Sequence, residues 1–316
     1  MRAIRFHRYG DTDVLALEEA PEPHADAGQV RIRVLAAGVN PADAKVRAGL
    51  LRELRPSTFP AIPGMDAVGV VDEVGEGATG VSVGDRVFGL GTDGTTAEFA
   101  VLEAWAPVPS TWSIEQAAAA ALVAQTATLV LDTIGDVAGR TVLIEGAAGG
   151  VGSTIVEFAI ARGAAVVGTS SPARHDFLRS LGAEPTTYGE GLAERVAALA
   201  PDGVHAAFDM VGSGSLAELV AIVGDASRVV TIADFGSSAL GVKFVGGNTN
   251  APANLAAAAV LGEKGVYTPR VSAVFPIERT AEAHGQIQTG HTQGKLVVTV
   301  GGPAEADRAA PADDGR

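Results

Sequence analysis

The 316-residue chain has no cysteine. That excludes disulfides, thiolate nucleophiles and cysteine-ligated zinc, and leaves the redox compartment undecided. Its six histidines, His7, His24, His175, His205, His284 and His291, are too scattered to supply a ligand set by spacing. No apolar run is long enough to cross a bilayer. The longest starts at Ala117, is interrupted by Gln125 and Thr126, and reads as a buried helix. No signal-like segment opens the chain, where Arg2, Arg5 and Arg8 recur. Basic residues are in deficit, with a net charge of −14, which argues against nucleic-acid partners and for a soluble, cytoplasmic protein with no membrane partner. Only four lysines occur, Lys45, Lys243, Lys264 and Lys295, and no internal repeat is visible.

What the chain does have is a segment with almost no side chains. Thr141-Val-Leu-Ile-Glu-Gly-Ala-Ala-Gly-Gly-Val-Gly152 begins as an apolar strand and turns through small residues. It continues as a helix with Val151, Ile155, Phe158 and Ala159 on one stripe. Strand, glycine turn and helix N-terminus together bind a pyrophosphate, because bare backbone admits the phosphates and the free N–H groups face them. Ala147-x-Gly149-x-x-Gly152 matches G-x-G-x-x-G with alanine in first place, so Ala148, Gly149, Gly150, Val151 and Gly152 are expected to hold a dinucleotide. The competing reading is a tight βα turn in another α/β protein. An NAD site would place a carboxylate about twenty residues further on. The second strand, Ala165–Gly168, instead runs into Thr169-Ser-Ser-Pro-Ala-Arg174. Ser170 and Arg174 offer hydroxyl donors and a fixed positive charge to a 2′-phosphate, so the expected cofactor is NADPH. Ser170 and Ser171 also suit a helix start before Pro172, and the two roles are compatible.

Residues 1–112 read as short strands with glycine-rich turns, including the alternating Val30, Ile32 and Val34 against Arg31 and Arg33. Asn40-Pro41-Ala-Asp43 starts a helix that runs to Gly49. From Ser113 to residue 268 helix and strand alternate, beginning with one long helix, Ile114–Leu131, which predicts a doubly wound parallel sheet. Residues 269–300 return to the first domain, and residues 301–316, rich in Ala, Pro, Gly and charge, are expected to be disordered.

Six runs in this order resemble the medium-chain dehydrogenase/reductase superfamily in its zinc-free quinone and enone reductase branch. They are Ala37–Asp43, Pro63–Gly69, Val83–Val87, Gly146–Gly152, Asp209–Gly212 and Gly294–Val298. The resemblance covers residues 1–300 and implies a GroES-like β-barrel catalytic domain with a Rossmann domain. Where the zinc branch carries a cysteine and a histidine, this chain has Asn40 and Met65. The resemblance implies reduction of a quinone or α,β-unsaturated carbonyl by a homodimer. It puts Lys45 near a substrate carbonyl, Thr126 near the nicotinamide, Tyr188 beside the adenosine phosphate, and Ala233 and Phe235 in the loop holding the carboxamide. An ammonium beside the carbonyl would stabilise the charge that develops there. Each has a structural alternative: Lys45 as a solvated helix residue, Asn40 as a cap rather than a donor to substrate, Thr126 as a buried helix hydroxyl, Tyr188 as a loop aromatic. Leu50 and Leu51 stand where some relatives carry a tyrosine acid, which leaves water as the expected proton source. Two rival functions share the fold. One is an enoyl-thioester or pathway-specific reductase, with Arg47, Arg52 and Arg55 as a basic rim or as a solvated helix face. The other is an NADPH-binding sensor without turnover.

Overall fold

The computed structural model describes residues 1–301. The disorder expected of 301–316 therefore falls, beyond Gly301, outside the described residues. The chain divides into two compact units, Met1–Leu122 with the segment from Ala251 onward, and Val123–Asn250.

In chain order the strands of the first unit are β1 (Arg2–Arg5), β2 (Ala16–Glu19), β3 (Val30–Val39), β4 (Asp66–Val74), β5 (Arg86–Gly91) and β6 (Phe99–Pro107). The second unit adds β7 (Thr141–Glu145), β8 (Ala165–Thr169), β9 (Glu184–Thr186), β10 (Ala206–Asp209), β11 (Val229–Thr231) and β12 (Lys243–Phe244). The first unit then receives β13 (Val271–Pro276) and β14 (Lys295–Thr299). The helices are α1 (Pro41–Arg47), α2 (Ile114–Ala118), α3 (Ala121–Ile134), α4 (Gly150–Ala161), α5 (His175–Ser180), α6 (Leu192–Leu199), α7 (Leu216–Val223), α8 (Ala251–Glu263) and α9 (Thr280–Gln288).

The sheet of the first unit has the order β13-β14-β3-β4-β5-β6, with β3 also pairing β6. That extra pairing curls the sheet on itself, as a small barrel requires. β3 is its axis: Val30, Ile32 and Val34 face the core while Arg31 and Arg33 stay half-exposed, the alternation the sequence predicts. Its last residues lie between two strand starts, with Val39 opposite Leu296 of β14 and Ala37 opposite Ala67 of β4. That register brings the residues flanking these strand ends, Asn40, Asp66 and Lys295, to one place.

Residues 113–122 and 251–268, expected in the dinucleotide domain, belong to the first unit. Trp112 explains part of this. Its indole donates to the Tyr267 carbonyl at 3.1 Å, and Gly262 of α8 lies so close that a Cβ there would meet the indole at 2.6 Å. The single helix expected over 114–131 is two, α2 and α3, because the chain restarts a helix beside a buried carboxylate: the Leu122 N–H donates to Asp66 Oδ2 at 3.3 Å.

The second unit is an all-parallel sheet in the order β12-β11-β10-β7-β8-β9. This is the doubly wound arrangement, and its strand order reverses between β7 and β10. Leu143, Val167, Ala207 and Val229 of its strands pack with Leu192, Val196, Leu216 and Leu219 of α6 and α7. β9, β12 and α8 were not among the sequence expectations. The first two are very short, and α8 is a run of alanines with no apolar stripe.

Candidate functional site

Two constellations carry chemistry, one in each unit. In the second unit, β7 ends at Glu145 and the chain bends through Gly146–Gly149 into α4. Gly146 has a φ of 74°, and the Gly149 N–H closes the bend on the Gly146 carbonyl at 3.0 Å. At Gly152 a Cβ would lie 2.2 Å from that same carbonyl oxygen, so only glycine lets α4 start so near the strand. At Gly149 a Cβ would meet just one atom, the same oxygen at 3.4 Å, so the bend is open on its outer side. A backbone cradle at the N-terminus of a twelve-residue helix, at the C-terminal edge of a parallel sheet, fits a pyrophosphate.

Five further cofactor candidates of this unit follow the C-terminal ends of its strands. Ser170 follows β8, buried, with its N–H on the Thr186 carbonyl and its hydroxyl on the Ser171 carbonyl. Arg174 lies in the short 3₁₀ turn after it, and no carboxylate occupies the segment 169–174. Tyr188 follows β9 and is exposed. Ala233 and Phe235 follow β11, whose Thr231 hydroxyl accepts from the Ala233 and Asp234 N–H groups, and the exposed Phe235 ring stacks on Phe244 at 5.0 Å. Thr126 is half-buried on α3.

Two acids at the strand reversal went unread in the sequence. Asp209 ends β10 and accepts from the Val211 and Gly212 N–H groups at 2.9 and 2.8 Å and from the Thr231 hydroxyl at 2.8 Å, which shapes the loop beside the bend. Glu145 accepts from the Ser213 and Ser215 hydroxyls, and burial pushes its carboxyl above the usual range despite those bonds.

The constellation of the first unit is a buried polar cluster at the end of β3. Asn40 precedes α1, and its backbone N–H donates to Asp43 Oδ2 at 2.8 Å, which closes the helix start. Its amide nitrogen donates both ways, to Asp43 Oδ2 at 3.1 Å and to Asp66 Oδ1 at 2.8 Å. Its amide oxygen accepts from the Lys295 ammonium. The four residues are at most 4% exposed. Lys295 stands 3.7 Å from Asp66 Oδ2, and Gly38 must be glycine-sized because a Cβ would meet Asp66 Oδ1 at 2.5 Å. Two carboxyls share one ammonium, so neutrality needs one proton. Burial, and then the charge of Asp66, push Asp43 up to about 7, against the pull of Lys295 and of the Asn40 hydrogen bonds.

Beside the cluster is a cavity of about 450 Å³ lined by, among others, Phe6, Asp43, Arg55, Ile62, Met65 and Thr92. Its size is that of a small-molecule site. Lys45 is half-buried on α1, and its ammonium has no hydrogen bond or ion pair with a described residue. Arg47 corrects an expectation. Neither part of a basic rim nor solvated, it is fully buried, reaches Asp11 at 3.4 Å, and has no partner for Nε or Nη1, whereas Arg52 and Arg55 are exposed. Sequence reasoning singled out Asn40 but missed Asp66 and Lys295, although both lie in runs quoted for the family resemblance. Among the described residues, no group of three or more His, Cys, Asp or Glu side chains could hold a metal ion, and no helix is long and apolar enough to cross a membrane.

Comparison with known proteins agrees with this fold. Residues 26–111 match the model of the alcohol dehydrogenase GroES-like domain, and residues 181–298 that of the zinc-binding dehydrogenases. The chain is 31% identical to the quinone oxidoreductase of Rattus norvegicus, over 94% of this chain and 96% of that protein. It is 32% identical to the chloroplastic NADPH-dependent alkenal/one oxidoreductase of Arabidopsis thaliana, over 94% of this chain and 79% of that one. Among solved structures, a mycobacterial protein complexed with NADPH is 27% identical, with a TM-score of 0.82 over 95% of this chain and all (100%) of that one.

Proposed function

We propose, from the premise that this chain belongs to the medium-chain dehydrogenase/reductase superfamily and is an NAD(P)H-dependent oxidoreductase of that type, that it uses NADPH to reduce a quinone or an α,β-unsaturated carbonyl. When bound, the nicotinamide would supply the hydride. The chain's own residues bind, orient and shield. The bend from Ala148 to Gly152 takes the pyrophosphate on backbone N–H groups. Ser170 and Arg174 take the 2′-phosphate, Tyr188 flanks the adenosine phosphate, and Ala233 and Phe235 with Thr126 orient the nicotinamide. The acceptor enters the cavity bordered by Asp43 and Met65. Lys45, without a partner among the described residues, is available to a developing oxyanion, where a preplaced cation is worth most. Asn40 acts by holding Asp43 and Lys295 in place.

One observation carries the choice of cofactor: the end of β8 presents Ser170 and Arg174 and no carboxylate. The acceptor class rests on similarity, over 94% of this chain, to proteins named as quinone and alkenal reductases. Initial rates with NADPH and NADH against a panel of quinones and enones test both parts. NADPH should be oxidised faster. Equal rates with both cofactors overturn the 2′-phosphate site, and turnover of no acceptor on the panel overturns the reductase. The reading extends to a homodimer joined at the exposed edge strand β12, which a molar mass by light scattering tests.

A further inference from the structure

We propose that Asp43 is the proton donor of this site: its carboxyl protonates the anion left on the acceptor once hydride has arrived. The inference rests on the reductase reading above and adds a residue that neither the sequence motifs nor the comparisons assign. Three observations carry it. Asp43 is 3% exposed yet lines the cavity that the reductase reading gives to the acceptor. Asn40 holds it through Oδ2 alone, and Oδ1 has no partner among the described residues. The cluster of two carboxyls and one ammonium also keeps a proton by charge balance, and the position of Asp43 near 7 puts that proton on it at working pH. A donor whose acidity is near the medium's works best as a general acid. Leu50 and Leu51 stand where some relatives carry a tyrosine, and the hydroxyl of the neighbouring Tyr9 is engaged by the Ser57 N–H at 3.0 Å.

The step balances. Hydride from the reduced dinucleotide forms a C–H bond at the β-carbon of an enone, and the π electrons move to give the enolate. The Asp43 O–H bond then breaks, its proton forms the C–H bond at the α-carbon, and the carboxylate regains a proton from water in the cavity. With a quinone the same proton goes to the phenolate oxygen. The charged and titratable groups around Asp43 are Asp66 on β4, Lys295 on β14, Lys45 and Arg47 on its own helix, His284 on α9 beside Arg47, and Arg55 and Asp93 on the cavity wall.

The test uses 2-methylcyclohex-2-enone, whose reduction creates a stereocentre at the protonated carbon. With wild-type protein and NADPH, one enantiomer of 2-methylcyclohexanone should dominate, and kcat/KM should fall as pH rises through about 7. Asp43→Asn should lower kcat/KM by about 100-fold, abolish that pH limb and erase the preference for one enantiomer. A purely structural role would leave the enantiomer ratio unmoved. Should Asp43→Asn not fold, Asp66→Asn takes its place: removing the like charge should move the limb to lower pH. Carboxyl ¹³C NMR of the cofactor-free protein should likewise show one aspartate titrating near 7. An Asp43→Asn enzyme with wild-type rate, pH limb and enantiomer ratio overturns the proposal, as does an Asp66→Asn limb that stays in place. If wild-type protein reduces neither this enone nor any quinone, the reductase reading falls, while the NMR titration still decides whether Asp43 keeps its proton.

Discussion

The two constellations solve opposite problems. At the bend of the second unit the chain removes side chains so that backbone can meet a ligand. At the end of β3 in the first unit it buries four polar side chains and ties them to one another. The bend is local, within Gly146–Gly152, and its requirement is steric. The cluster joins Asn40, Asp43, Asp66 and Lys295 across 255 residues of sequence, and its requirement is electrostatic. The lesson is that a backbone site fails by added atoms, whereas a charge cluster fails by a missing partner.

The largest expected effect follows from the second half of that statement. Lys295→Met leaves Asp66, which is 0% exposed, without its ammonium. Breaking a buried pair from one side costs about 3–5 kcal/mol, so the urea midpoint should fall sharply. Lys295→Met with Asp66→Asn should recover most of the loss, because the cost is that of an orphaned charge rather than of the pair itself. A double variant no more stable than the single would show that packing, not charge, holds the cluster.

At the bend the two glycines should separate. Gly152→Ala drives a methyl into the Gly146 carbonyl and should cost about 1–3 kcal/mol of stability as well as NADPH affinity. Gly149→Ala meets only one atom, at 3.4 Å, and should leave stability within about 0.5 kcal/mol while weakening NADPH binding. Denaturant titration and nicotinamide fluorescence on both variants measure the two quantities. Equal losses of stability would deny that the outer side of the bend is free for a ligand. Smaller again is Arg174→Ala. A hydrogen bond to a charged group is worth about 1.5–3 kcal/mol, so the preference for NADPH over NADH should shrink by roughly 10- to 150-fold with the fold intact. An unchanged ratio of kcat/KM values removes Arg174 from the 2′-phosphate site.

How much of each region could be read in advance follows from the same contrast. The bend was legible because strand, glycines and helix are contiguous, and because the missing carboxylate after β8 is also a local fact. The doubly wound sheet was legible from alternation, and β3 from its period of two. The cluster was not legible. A lysine is expected at the surface, and Lys295 is buried only because β14 begins beside the end of β3. The break between α2 and α3 was hidden for the same reason, since the carboxylate that receives the Leu122 N–H comes from β4, 56 residues earlier. Asp66 and Lys295 did lie within family-like runs, and the signal available was that both runs carry a charge next to apolar strand residues. α8 is alanine-rich on every side, so no periodicity announces it.

The finest test of the cluster is a pH effect that wild-type protein nearly conceals. Asp43 is raised by burial and by Asp66 to about 7, so between pH 4 and 7 the folded state holds a proton that the unfolded chain has lost. More protons bound in the folded state means that stability falls as pH rises through that window. His284 does the reverse. Burial, and then Arg47, lower it to about 3, so between pH 3 and 6.5 the unfolded chain binds the extra proton and stability rises with pH. Each slope is at most about 1.4 kcal/mol per pH unit, and over their shared window they oppose. Relative to wild type, Asp43→Asn should therefore gain stability as pH rises from 4 to 7, and His284→Asn should lose it as pH rises from 3 to 6.5. The double variant should run parallel to wild type between pH 4 and 6.5. Chemical denaturation of the four proteins at several pH values reads these differences directly, free of contributions from the other carboxylates. A difference for Asp43→Asn that is flat with pH would mean that Asp43 ionises at its ordinary pH, and with it would go the reason for a proton in the cluster.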